Sequence, residues 1–402
     1  MTDSTASSTP SVSGAPRKGA PQGFWVVWST VALDLIGFGI VIPILPLYVE
    51  DFGVGPATVG ALVAVYSLAQ GIMAPVMGRV SDRVGRKPVL LVSLVGSAIG
   101  SLLTGLAGSV AVLFAARILD GASGASISVA QAAVTDLAEP EDRPRLLGLL
   151  GAAIGLGFVL GPALGALGAL VSTRTPFYLA AGLALLNAGA AAYRLPETHP
   201  PGSARVVDEL EPVDVPGVRK AVAPLLIVAF LGTSAFSGFE ATFSLLADRR
   251  FGLSPSGVAV VFVAIGLVLS MVQGGLVGPT TKRIGVSRTL LFGLATVAAG
   301  LVLLAVEGGW ATTIPALGLL VVGQGLASPA LSVRVGDVAG RARRGVVYGW
   351  QQASSAGARA VGPLLAGALF EWSGPSSTYL VGGGLMAAAL VVALPNERAN
   401  EG

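Results

Sequence analysis

Residues 57–107 read ATVGALVAVYSLAQGIMAPVMGRVSDRVGRKPVLLVSLVGSAIGSLLTGLA. Two apolar runs of about 20 residues flank a short basic loop, and each run can cross the roughly 30 Å hydrocarbon layer of a bilayer as an α-helix. The rest of the chain has the same character, because only 12% of its 402 residues are charged and 53% are hydrophobic. A soluble surface usually requires about 25% charged residues. The sequence therefore predicts an integral membrane protein.

Long apolar runs occur in twelve windows along the chain, and each window predicts one membrane-spanning helix. The windows are approximately 24–47, 57–77, 88–107, 110–134, 146–171, 175–193, 222–247, 256–277, 289–306, 311–333, 346–369 and 377–394. The fold class predicted from them is an all-α integral membrane protein with twelve transmembrane helices.

The basic residues predict the orientation of these spans. If both termini are cytoplasmic, the tails and loops on that side carry 20 of the 25 Lys and Arg residues, and the outer loops carry only Arg174, Arg249 and Arg250. This asymmetry satisfies the positive-inside rule. We therefore expect a multi-pass protein of the cytoplasmic membrane. Basic residues in alternate loops do not form the contiguous surface that binds nucleic acid.

The chain also lacks the residues of several enzyme classes. It has no cysteine, which excludes disulfides, zinc-thiolate sites and iron–sulfur clusters. Its one histidine, His199, lies between the predicted bundles and is interpreted as a loop residue rather than a proton relay. With no nucleophile–base pair or metal cluster visible, we expect neither an enzyme nor a bound cofactor.

The two halves of the chain repeat each other. FGVGP at 52–56 matches FGLSP at 251–255, and Gly161-Pro162 matches Gly362-Pro363 at an offset of 201 residues. Two parallel six-helix repeats with a site between them are typical of secondary transporters. The predicted organisation is a disordered cytoplasmic tail (1–22), an N-terminal bundle (23–194), a cytoplasmic linker (195–221), a C-terminal bundle (222–395) and a cytoplasmic tail (396–402).

Four motifs lie in order along the first half. They are Asp34-Leu-Ile-Gly37-Phe-Gly39 in span one, GRVSDRVGRKP (78–88) after span two, Arg117-Ile-Leu-Asp120-Gly121-Ala-Ser-Gly124-Ala125 in span four and Gly157-Phe-Val-Leu-Gly161-Pro162-Ala-Leu-Gly165-Ala166 in span five. Together they resemble the major facilitator superfamily, and within it the twelve-helix drug:proton antiporters of the tetracycline-exporter and multidrug-efflux group. The resemblance covers residues 24–395, and it implies two pseudo-symmetric bundles that work by alternating access.

The loop after span two is a candidate conformational latch. Its residues, with one acid from the base of span four, are Gly78, Asp82, Arg83, Gly85, Arg86, Lys87 and Asp136. We expect Gly78 to end span two and to let a neighbouring helix approach closely. The resemblance implies that Asp82 steadies the outward-open state against helix eleven, and Lys282 in the second half restricts this role to the first copy. The alternative is that these are ordinary positive-inside charges.

Span five carries a stripe of small residues. Gly157, Gly161 and Gly165 are four residues apart and predict a face that packs tightly against another helix. Pro162 weakens the local hydrogen-bond ladder and permits a bend. The resemblance associates this motif with antiport, and plain small-residue packing is retained beside it.

Few charges lie inside the predicted spans, and such charges mark function by default. Arg117 and Asp120 are three residues apart on one helix and can pair, while Asp34 lies at a depth where it could meet Arg117. A carboxylate that exchanges an arginine partner for a proton is a workable coupling device. We expect Asp34 to be the principal proton carrier, tuned by Arg117 and assisted by Asp120. The alternative is a permanent Arg117–Asp120 pair that holds span four.

Glu240 in span seven is the acid of the second half. It is expected to carry a second proton or to attract a cationic substrate, or else to lie at a hydrated cavity rim, and Arg359 in span eleven is its candidate partner. Other candidates for the cavity wall are polar or aromatic residues, each equally compatible with packing between helices. They are Tyr66, Gln70, Gln273, Gln324, Trp350, Gln351 and Gln352.

The predicted function is export of a small amphipathic compound in exchange for protons by a monomer that interacts with membrane lipids and not with nucleic acid. Gly100 stands where the tetracycline branch has a further acid, and span eight lacks that branch's histidine, so tetracycline itself is not the favoured substrate. One alternative is a proton-independent facilitator or a sugar or metabolite exporter. Another is a non-transporting membrane receptor.

Overall fold

The computed structural model describes residues 20–21, 23–124, 126–138, 142–198, 215–339 and 344–394. All regular elements in these ranges are helical, and one π-helical turn (Val272–Leu276) joins α10 to α11. The helices are α1 (Phe24–Val41), α2 (Leu45–Glu50), α3 (Pro56–Val84), α4 (Arg86–Leu106), α5 (Val110–Ser123), α6 (Ser126–Leu137), α7 (Arg143–Ala169), α8 (Thr175–Arg194), α9 (Val215–Phe251), α10 (Pro255–Met271), α11 (Val277–Ile284), α12 (Val286–Ala305), α13 (Trp310–Ala339), α14 (Arg344–Trp372) and α15 (Gly374–Ala393). Most of the predicted tails and His199 lie outside the described residues.

The helices correspond to the predicted spans in order. The first half contains α1 with α2, then α3, α4, α5 with α6, α7 and α8, and the second contains α9, α10 with α11, then α12, α13, α14 and α15. Within the described residues, ten helical segments are long and apolar enough to cross a membrane. The prediction of an all-α membrane fold is confirmed.

The prediction that Gly78 ends the second span is wrong, because α3 continues to Val84. The helix stops at Gly85, whose φ of +103° lies where a side chain causes strain, and Gly285 with φ of +84° stops α11 in the second half. A Cβ placed on Gly78 would meet open space, so no described helix makes the expected close approach there in this conformation.

Glycines bring α7 directly against α1, the helix that carries Asp34. A Cβ on Gly161 would lie 2.5 Å from the Cα of Gly39, and one on Gly165 would lie 2.8 Å from the carbonyl oxygen of Ile40. The indole of Trp28 donates a hydrogen bond across the same interface to the carbonyl of Leu149 at 2.8 Å. The position of Asp34 is therefore set by backbone contact between α1 and α7.

The most extensive contacts between the halves are made by two helix pairs, since α3 packs against α14 and α7 packs against α10. The first pair touches through Gly60 and Gly367, where a Cβ on Gly367 would lie 3.2 Å from the Cα of Gly60. Side chains are absent at this crossing, so the two backbones approach as closely as sterics permit. Helix α3 is consequently the element of the first half in closest contact with α14.

Three polar contacts between the halves lie at the end of the bundle opposite the linker between α8 and α9, here called the opposite end. Ser244 donates to the carbonyl of Pro43 at 2.9 Å, and Arg249 pairs with Glu50 at 3.3 Å. The backbone N–H of Ala57, in the first turn of α3, donates to the carboxylate of Glu371 at 2.9 Å. A side chain on residue 55 would collide with that carboxylate, so Gly55 is part of the same contact.

Candidate central site

The structure pairs two of the intramembrane charges directly. Arg117 and Asp120 lie one turn apart on α5, and Nη2 of Arg117 is 2.9 Å from Oδ2 of Asp120. Arg117 is only 3% exposed, and its Nε and Nη1 have no hydrogen-bond partner among the described residues. The pair expected from the sequence spacing is present, and the guanidinium keeps donors that can serve a second acceptor.

Helix α4 accommodates Asp120 because it has a glycine at the point of contact. A Cβ on Gly100 would lie 2.6 Å from the Cβ of Asp120 and 3.0 Å from its Cα. Ser97, one turn earlier on α4, interacts with the Asp120 carboxylate. An acid at position 100 would therefore occupy the space that Asp120 fills here, which gives a steric reason for the glycine at this position.

Tyr66 of α3 covers the paired arginine. The guanidinium carbon of Arg117 lies 4.5 Å from the centre of the Tyr66 ring, and the ring of Phe38 stacks on the tyrosine at 5.6 Å between centroids. A Cβ on Gly121 would collide with the backbone of Tyr66, which shows how closely α3 and α5 approach. The cation–π contact and the carboxylate together hold Arg117 from two sides.

The hydrogen-bonding partner of Asp34 is a serine and not Arg117. Oδ2 of Asp34 accepts a hydrogen bond from the hydroxyl of Ser126, the first residue of α6, at 2.5 Å. Asp34 is half-buried and interacts electrostatically with Asp120 and Tyr66. The structure thus places Asp34 beside the Arg117–Asp120 pair, with a serine as its hydrogen-bonding partner.

The second half contributes an acid and a base to the same region. Glu240 is half-buried on α9 and interacts electrostatically with Arg359, which is exposed on α14. Arg359 also interacts electrostatically with Tyr66 of the first half. Tyr66 therefore interacts with central charges of both halves.

The remaining candidates for the cavity wall differ in their surroundings, since some are exposed and others contact neighbouring helices or the core. Gln70 donates from Nε2 to the carbonyl of Gly124 at 2.9 Å, so it contacts the junction between α5 and α6. Gln273 lies in the π-helical turn and is exposed, and Gln352 is exposed as well. Gln324 and Gln351 are half-buried. Trp350 packs against the hydrophobic core.

The loop after α3 is organised by Arg86. This side chain is 1% exposed, and its nitrogens lie 2.6 Å from Asp82 and 2.9 Å from Asp136. Its Nη1 also donates to the hydroxyl of Ser81 at 2.6 Å. Burial acts to lower the pKa of the Arg86 guanidinium, but the hydrogen bonds that it donates to the carboxylates of Asp136 and Asp82 raise this pKa overall. Arg83 is exposed and Lys87 half-buried, so Arg86 is the basic residue that forms the centre of the motif.

Glu197, at the start of the linker, is a member of this loop network that the sequence reasoning missed. Its carboxylate accepts hydrogen bonds from the backbone N–H groups of Arg86 and Lys87 at 2.8 and 3.2 Å. A carboxylate at a helix N-terminus is favourable because the first N–H groups have no partner within the helix. Its position after the sixth span was the signal that could have identified it.

The chain matches a sequence profile described as Major Facilitator Superfamily over residues 27–278 and 251–402. It is 33% identical over 382 residues to the class E tetracycline resistance protein of Escherichia coli, covering 90% of this chain and 92% of that protein. It is 28% identical over 355 residues to multidrug resistance protein 2 of Bacillus subtilis, covering 87% and 88% of the two chains.

Solved structures give the same picture of the fold. The human organic anion transporter TETRAN superposes with a TM-score of 0.68 at 25% identity, covering 92% of this chain and 98% of that one. The nucleoside transporter NupG superposes with a TM-score of 0.75 at 13% identity, covering 92% and 98%. At the lower identity the likeness concerns the fold alone.

Proposed function

The chain belongs to the Major Facilitator Superfamily, and from this membership we propose that it exports a small amphipathic compound across the cytoplasmic membrane in exchange for protons. It is a multi-pass membrane transport protein related to drug-efflux proteins, and it is not an enzyme. The observation that carries the proposal of proton coupling is a titratable carboxylate, Asp34, half-buried near the middle of α1 beside a second, arginine-paired acid.

The proposed coupling rests on the choice of partners open to Asp34. In this conformation Asp34 accepts from Ser126, while Arg117 is paired with Asp120 and keeps two donors that have no partner in the described part of the chain. A proton or a cationic group of the substrate neutralises Asp34, and the two compete for it. Binding of one in place of the other on each side of the membrane would yield antiport. Glu240 with Arg359 is the candidate second site.

The proposed orientation places the linker end in the cytoplasm, as the positive-inside rule requires. The cross-half contacts of Pro43, Glu50 and Glu371 then lie on the outer side. A structure held together there corresponds to a transporter whose central site faces the cytoplasm. In the alternate state we propose that the Asp82 loop approaches α14, filling the open space beside Gly78.

The function is tested by reconstituting the purified protein into vesicles and following tetracycline and ethidium as probes. If one proton exchanges for one substrate, an acidic lumen should drive about tenfold accumulation per pH unit, because each pH unit stores about 1.4 kcal/mol. A protonophore should remove the accumulation while exchange of labelled for unlabelled probe continues. If the pH gradient changes neither the rate of probe transport nor its accumulation, the result would favour a facilitator instead.

Loss of the Glu371 contact is expected to open the opposite end. Glu371→Ala leaves the N–H of Ala57 without its carboxylate, and a hydrogen bond of about 1 kcal/mol corresponds to a roughly fivefold shift between two states. Because the chain has no cysteine, spin labels can be attached after Ser172→Cys and Glu307→Cys in loops at that end. Double electron–electron resonance should show a larger long-distance population. Asp248→Ala, at the same end, is the matched control, and an equal change in both variants would contradict the assignment.

A further inference from the structure

Ser126 makes a contact with the proposed proton carrier that no local sequence feature dictates. It lies 92 residues from Asp34, is 3% exposed, and reaches the carboxylate only because α6 packs against α1. An ionised carboxylate has only acceptors, so the serine hydroxyl is the donor. Ser126 is also the first residue of α6, so the positive end of the helix dipole lies near the same carboxylate.

Other contacts hold the junction that presents Ser126. The carbonyl of Gly124 accepts a hydrogen bond from Gln70 of α3, at 2.9 Å. The same helix carries Gly60, which contacts Gly367 of the opposite half. Helix α3 thus connects the interface between the halves to the point where α6 begins. A movement of α3 relative to α5 would be transmitted to the serine that holds Asp34.

We propose that Ser126 is the positioning residue for Asp34, and that its hydrogen bond sets the pH at which Asp34 takes up its proton. This inference rests on the proposed function, in which Asp34 is the proton carrier. Donation to the ionised form favours that form. Rearrangement at the α5–α6 junction withdraws the donor and favours protonation, which would couple the state of the two halves to the charge of Asp34.

The other groups that face Asp34 are few. Asp120 from α5 and Tyr66 from α3 interact with it electrostatically. Helices α7 and α8 also pack against α1, but residues 146–171 contain no ionisable side chain, and Tyr178 of α8 is engaged with the carbonyl of Gly105. A change confined to the Ser126 hydroxyl therefore leaves the charged surroundings of Asp34 as they are.

The test is a pH titration of the purified, reconstituted full-length protein by infrared difference spectroscopy, which follows the protonated carboxyl band without any substrate. Asp34→Asn identifies the band that belongs to Asp34. In Ser126→Ala the midpoint of this band should move upward by about one pH unit, as expected for loss of one hydrogen bond to a charged group. Ser126→Thr should restore the wild-type midpoint. Ser126→Cys, with a weaker donor of similar size, should lie between them.

Thr135→Ala is the matched control. It removes a hydroxyl from the same helix, and within the described ranges this hydroxyl bonds only to the carbonyl of Gln131. It should leave the midpoint unchanged. If Asp34→Asn removes no titrating band, the proposed function itself fails. If Asp34→Asn removes the band but Ser126→Ala and Ser126→Cys titrate with the wild-type midpoint, the proposed role of Ser126 is overturned while the proposed function stands.

Discussion

Replacing Asp34 by asparagine is expected to abolish uphill export. With a lumen two pH units more acidic than the medium, one-for-one exchange can drive about hundredfold accumulation of the probe, and the variant should bring this ratio to about one. Asparagine keeps the size of the side chain and can still accept from Ser126, but it cannot bind and release a proton. The carrier should therefore continue to exchange labelled for unlabelled probe down a concentration gradient.

The measurement combines gradient-driven accumulation with counterflow in the same vesicles. Asp51→Asn is the matched control, because it alters an exposed carboxylate immediately after α2 and should transport as the wild type does. Glu240→Gln distinguishes the second site: if Glu240 binds a proton that is essential to transport, this variant also loses accumulation. Retention of full uphill transport by Asp34→Asn would exclude Asp34 as the principal carrier.

The helical spans were predictable because a segment that crosses a membrane must be a long run of apolar residues. The windows on either side of the 78–88 loop became α3 and α4, since backbone groups in hydrocarbon must bond within a helix. Helix ends were less predictable. Gly78 and Gly85 are both glycines near the end of the same apolar run, and only the second has the positive φ that stops the helix.

The partners of the site residues were less predictable than the residues themselves. Arg117 and Asp120 were paired correctly because their spacing on one helix fixes their distance. Asp34, Ser126 and Gly100 were not connected, because their contacts depend on how separate helices rotate and cross. A serine in an apolar span has many packing roles, so its residue type alone does not predict a carboxylate partner.

Breaking the Arg117–Asp120 pair is expected to cost more stability than any other single change at the site. Arg117→Met would leave Asp120, which is only 7% exposed, without its cation, and loss of one partner of a buried pair typically costs about 3–5 kcal/mol. The thermal unfolding temperature in detergent should fall clearly. Replacing both partners, as Arg117→Met with Asp120→Asn, should recover most of it, because no buried charge remains unpaired.

The double variant then decides between the two roles considered for this pair. If the pair only holds α5 in place, the stable double variant should retain proton-driven accumulation. If Arg117 instead binds Asp34 during the cycle through Nε and Nη1, which have no partner among the residues described, the double variant should be stable but inactive. The infrared titration of Asp34 gives a second measurement. If Arg117 pairs with Asp34 in part of the population, its removal should raise the pH at which the protonated carboxyl band of Asp34 appears. Recovered stability without recovered transport would therefore assign Arg117 to the coupling step rather than to the scaffold.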